Sequence, residues 1–245
     1  MRSDGFPDLF LKVSGTAYLI LATDACLALA CAPVWALVLG TAWSRSWLAL
    51  ALVSPLLWVG IAAAYRVFEA FVRDGEAGVF TGFWRAWVRA WRPAGPLGAG
   101  AAALFVVIGV DVWALRGTAY GRLSLPVFVV IAVLAVLGLL TGLAALTCEP
   151  GLARLRALAL GGFAAVRHPG WSLASLAALA VFAAMVVARP ALALLVAPAP
   201  VLYVVWYGAV RALTPYVGEE SSPAGLGPDD ASGTVGVLGG DRAHG

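Results

Sequence analysis

The chain has 245 residues, of which 62% are hydrophobic and only 12% charged, with a mean hydropathy of +0.93. A soluble domain is about half apolar and about a quarter charged, so this composition excludes an ordinary water-soluble fold. Sixteen basic against thirteen acidic residues leave a net charge of +3, too little to argue for nucleic acid as a partner.

The length accommodates about six membrane spans of about 20 residues each, with short connections. Apolar runs fall at about 14–40, 47–65, 97–115, 124–147, 170–188 and 191–210. They predict an all-α, polytopic bundle of six transmembrane helices. Residues 1–12 are a short mixed N-terminus. The first run contains Ala30-Cys31-Ala32, a signal-peptidase-like triplet, but it continues to Leu39 and its flank carries Asp4 and Asp8, so it reads as a retained helix. The second continues past the bilayer through Arg66, Glu69 and Arg73, spaced to share one helical face.

Between the second and third runs lies Val79–Arg92, VFTGFWRAWVRAWR. On a helical wheel Phe80, Phe83, Trp84, Trp87 and Trp91 fall within about 100°, and Arg85, Arg89 and Arg92 gather on another side. Aromatic rings on one face and arginines on the next describe a helix lying in the membrane–water interface, able to dock anionic lipid or a partner protein. Pro93-Ala94-Gly95-Pro96 is expected to turn the chain back into the membrane. A second basic connector covers 152–168, and Pro198-Ala199-Pro200 should kink the last run. Residues 213–245, rich in Gly, Ser, Pro and Asp, read as a disordered tail.

With the N-terminus inside, twelve basic residues lie on inner segments and four on outer loops, which predicts both termini and both long connectors on the cytoplasmic side. The connectors ending in Arg92-Pro93 and Arg167-His168-Pro169 also suggest a weak internal repeat.

Asp24 is the most costly residue of the apolar runs. It lies about ten residues into the first span, about 15 Å deep, where a carboxylate must face protein or water and tends to be protonated. One reading makes it an ion, proton or substrate site. The other makes it a neutral acid bonding a neighbouring helix through Thr23, Ser54 or backbone carbonyls. Asp111, toward the end of the third run, either pairs with Arg116 or shares a polar path with Asp24. Gly138 and Gly142 form a GxxxG motif, which supports close helix packing within the chain or between copies. Cys26, Cys31 and Cys148 form no CxxC pair, and no phosphate loop, dinucleotide motif or catalytic triad assembles. No cofactor, metal or enzymatic activity is expected.

The stretch from Pro55 to Trp91, PLLWVGIAAAYRVFEAFVRDGEAGVFTGFWRAWVRAW, resembles the YesL-like family of bacterial membrane proteins. The parts that carry the resemblance are Ala62–Arg66, the acidic-glycine turn Asp74-Gly75-Glu76, and the aromatic-basic segment from Phe83-Trp84 to Trp91; Asp111 also matches a position where the family often has Asp. The first span departs from it, with Asp24 and Ala32-Pro33-Val34-Trp35 where the family often has Asn and a Pro-Val-Val-Thr ending. The resemblance implies a six-helix protein of the bacterial cell membrane, accessory or regulatory to carbohydrate uptake by an importer of the ATP-binding-cassette type. The expected partners are bilayer lipid, that importer's permease or a second copy of the chain. The alternative is a small-solute or proton-coupled transporter using Asp24.

Overall fold

A computed structural model describes residues 5–40, 43–74, 78–115, 117–149 and 151–217. The described residues form nine helices and no strand: α1 (Gly5–Ala30), α2 (Ala32–Gly40), α3 (Trp43–Asp74), α4 (Val79–Ala114), α5 (Ala119–Cys148), α6 (Arg154–Arg167), α7 (Pro169–Ala188), α8 (Pro190–Val196) and α9 (Pro198–Val217). Of the tail expected over 213–245, residues 213–217 complete α9 and the rest lie outside the described residues.

Four helices are long and apolar enough to cross a membrane: α3, α4, α5 and α7. The α1–α2 pair makes a fifth if its two parts are one span, bent by 71°. The bend falls at Cys31, whose carbonyl accepts from both Val34 (2.9 Å) and Trp35 (3.0 Å). Pro33 cannot donate to the carbonyl of Leu29, so the ladder is already broken there. The run expected over 191–210 is divided at Ala197 into α8 and α9, beside the prolines that predicted a kink. The outer surface is apolar as well as the core: Leu52 is 82% and Val187 86% exposed. A chain that turns such side chains outward on several long helices is a multi-pass membrane protein.

Where the helices stop follows local chemistry. Gly117 turns the chain at φ +81, and Thr118 caps α5 by accepting from the Gly121 N–H at 3.0 Å. The breaks at His168, Arg189 and Ala197 each precede a proline that opens the next helix.

One expectation is overturned. Residues 79–92 are not a separate interfacial helix followed by a turn; α4 runs unbroken from Val79 through Pro93 and Pro96 to Ala114. Its 36 residues reach about 54 Å, well beyond a hydrocarbon core of about 30 Å. The two prolines withdraw donors from the carbonyls of Arg89 and Arg92, and both residues are exposed, so the freed oxygens lie on residues at the surface rather than in the packed core. The 32-residue α3 lies along α4 as the most extensive helix pair of the bundle. The α3–α4 hairpin thus forms a rod, and Val79, Phe83, Ala90 and Ala94 fasten α4 to the core.

Candidate functional site

A cavity of about 380 Å³ opens where α3, α4 and α5 meet. Gly82, Ala86, Ala90 and Ala94 recur every four residues along α4 and leave the space. Ala62 of α3 and Leu143 and Leu146 of α5 complete an apolar floor. Arg66, Arg85 and Arg89 supply the charge.

Arg66 is anchored. Its guanidinium donates to the carbonyls of Leu146 (2.8 Å) and Thr147 (3.1 Å), the last turn of α5, and lies 3.6 Å from Glu69. The cation satisfies carbonyls that the helix end leaves open and complements its negative pole. Arg73 pairs instead with the adjacent Asp74 at 3.1 Å. Among the described residues, no carboxylate lies within ion-pair reach of Arg85 or Arg89. The cleft is therefore a cationic mouth over an apolar floor. Guanidinium groups so placed recognise planar or tetrahedral oxyanions through paired N–H donors. No group of three or more His, Cys, Asp or Glu side chains that could hold a metal occurs among the described residues.

The aromatic residues expected on one face divide between environments. Phe83 is fully buried, Trp84 and Trp87 are half-buried, and Phe80 and Trp91 are 58% and 41% exposed. Phe80, Trp84, Trp87 and Trp91 nevertheless stack edge to face along the helix, at centroid separations of 5.6–6.4 Å. Arg92 is exposed and stands outside the cleft.

Asp24 is 2% exposed, and one carboxyl oxygen accepts the backbone N–H of Ala199 at 2.6 Å. It thus holds the first turn of α9, favoured by the helix's positive end. Its second oxygen and the Thr23 hydroxyl are buried without partners among the described residues. Asp24 lines none of the described cavities. Asp111 is half-buried on α4 and no hydrogen bond or ion pair joins it to Asp24; its suggested partner Arg116 lies outside the described residues.

Gly138 and Gly142 pack within the chain, against α6. A Cβ at Gly142 would stand 3.2 Å from the Ala157 carbonyl, and Gly138 lies against the Cα of Gly162.

Sequence reasoning singled out Arg85 and Arg89 but missed Arg66 as their companion. The Gly82-Ala86-Ala90-Ala94 spacing was a visible sign of a groove on the arginine side. The α5 carbonyls that fix Arg66 stand 80 residues away and leave no local signal. No protein family, curated protein or solved structure matches the chain.

Proposed function

We propose that the chain is a non-enzymatic accessory or regulatory protein of a bacterial cell membrane, with six spans and both termini inside, that binds the phosphate of an anionic lipid in its arginine cleft. The observation that carries this reading is the pair Arg85 and Arg89, which rim a cavity of about 380 Å³ with no acidic partner among the described residues. The apolar floor suits an acyl chain and the mouth suits a phosphodiester, so an amphiphile satisfies both where a free ion satisfies one. The excess of basic residues on the inner segments of the topology read from the sequence supports a position of this end of the bundle in the cytoplasmic leaflet. The resemblance of residues 55–91 to the YesL-like family supports an importer of the ATP-binding-cassette type for carbohydrates as the partner.

The test is lipid retention by purified protein in nanodiscs of defined composition, read by native mass spectrometry. Phosphatidylglycerol should be retained over phosphatidylcholine. The double variant Arg85→Gln/Arg89→Gln should lose at least about tenfold in affinity, since charge-assisted hydrogen bonds contribute about 1.5–3 kcal/mol and about 1.4 kcal/mol is tenfold. Inorganic phosphate should not compete. Equal retention of both lipids, or by the variant, would overturn the lipid site. Failure of any permease subunit to co-purify from native membranes would count against the accessory role while leaving the lipid site standing.

A further inference from the structure

The arginine cleft presents an open acceptor beside its cations. Three of its lining carbonyls have no helical N–H four residues further on. Those of Leu146 and Thr147 end α5, and both accept from Arg66, at 2.8 and 3.1 Å. The third belongs to Arg89, because residue 93 is proline. The remaining lining residues lie inside α3, α4 or α5 with a helical donor at the fourth position beyond them. The hydroxyl of Thr147, which also lines the cleft, donates to the Ala144 carbonyl at 2.6 Å and does not serve Arg89.

Helix geometry places this open carbonyl. Arg89 and Pro93 stand one turn apart on one face of α4, and both line the cleft. A helical carbonyl points toward the C-terminus, here toward the apolar stretch 97–114. Long side chains on a helix lean the other way, toward its N-terminus. The guanidinium groups of Arg85 and Arg89 therefore lean to the aqueous end, and the open acceptor lies on the membrane side of them. A lipid with its phosphate on the arginines passes the linkage between phosphate and chain over that carbonyl. In a diacyl phospholipid this linkage holds only ester oxygens, which are acceptors. They would displace water from the carbonyl without replacing its hydrogen bond. A phospholipid with one chain removed carries a free hydroxyl at the same level.

We propose that the cleft selects a lysophospholipid: an anionic glycerophospholipid with one acyl chain, whose free glycerol hydroxyl donates to the Arg89 carbonyl while its phosphate accepts from Arg85 and Arg89. The proposal rests on the lipid-site reading above and adds to it the class of lipid. Pro93 sets the preference, because it keeps the acceptor open without touching the charge of the cleft.

The full chain in nanodiscs tests this, with lipid retention read by native mass spectrometry. The probes are lysophosphatidylglycerol and its 2-O-methyl ether, which differ only in the donor. Wild-type protein should retain the free hydroxyl form over the ether by about tenfold, the scale of one hydrogen bond lost with its acceptor left open. Pro93→Ala returns an N–H to the Arg89 carbonyl and suits a helix interior, so it should fold and retain the two probes alike. Pro96→Ala returns an N–H to Arg92, which stands outside the cleft, and should keep the wild-type preference. Equal retention of the two probes by wild type, a preference that survives in Pro93→Ala, or one that is lost in Pro96→Ala would each overturn the proposal. If phosphatidylglycerol is still retained over phosphatidylcholine through Arg85 and Arg89, the lipid site itself stands. Loss of that preference as well would bring down both readings.

Discussion

Gly161 and Gly162 are neighbours on α6 with opposite tolerances. A Cβ at Gly161 would lie 2.5 Å from the backbone nitrogen of Gly142 and 2.9 Å from the Gly138 carbonyl, so the two helices must part to admit it. A Cβ at Gly162 would meet nothing within 4 Å. Gly161→Ala should therefore destabilise by about 1–3 kcal/mol, the usual range for overpacking. Gly162→Ala should be neutral or stabilise by up to about 1 kcal/mol, because alanine is the better helix former. Unfolding of both variants under one protocol checks the pair, and equal effects would show that α5 and α6 do not meet as described. The GxxxG motif was legible as a place of close approach. Its counterpart was not, because Gly161-Gly162 is itself no motif and only the antiparallel return of α6 brings it there. Arg66 belongs to the same class of contact. Arg66→Gln should cost about 1–3 kcal/mol through lost bonds to the carbonyls of Leu146 and Thr147, read as a lowered Tm.

Among the elements, α4 separates what a sequence pattern can tell from what packing decides. Its aromatic and arginine positions are readable from helical spacing, and so is its helical start after Gly78. The turn read from Pro93 and Pro96 fails because a proline ends a helix only when the freed carbonyls cannot find other partners and the neighbouring turns are not held. Here Ala90, Ala94 and Leu97 are buried on either side of the prolines, so α4 stays fixed to the core across them. Where a proline follows a residue that already leaves the helical region, as at His168 (φ −114, ψ 69) and Arg189 (φ −147, ψ 75), the helix does break. Spin labels at Thr81 and Leu104, both exposed, report the difference. Continuous α4 separates the two positions by about 35 Å, at 1.5 Å per residue. An interfacial helix turning into a span at 93–96 would bring them to about 20 Å.

The whole molecule is held by contacts that no local pattern announces, whereas the order of its apolar runs gives an expectation of which ends share a side. The α3–α4 and α5–α6 connections turn at one end of the bundle, because Arg66 near the end of α3 binds the last carbonyls of α5. The α4–α5 connection at Leu115–Thr118 turns at the other, about 45 Å away along the 30 residues of α5. What the sequence could not supply is the joining of α1 to α9 through Asp24 and Ala199, 175 residues apart, whereas the division of the last run into α8 and α9 falls beside the prolines that announced a kink. The same geometry fixes a test of topology. In a background freed of native cysteines, Val72→Cys and Leu155→Cys, at exposed positions 61% and 81% accessible, should react with an impermeant maleimide from one side of the membrane. Tyr120→Cys, at a position 78% exposed, should react from the opposite side. On the orientation expected from the basic excess, inverted vesicles should label the first pair and right-side-out vesicles should label position 120. Labelling of all three from one side would mean that α5 does not cross the bilayer, and the proposed seat of the arginine cleft at the lipid headgroups would then fall.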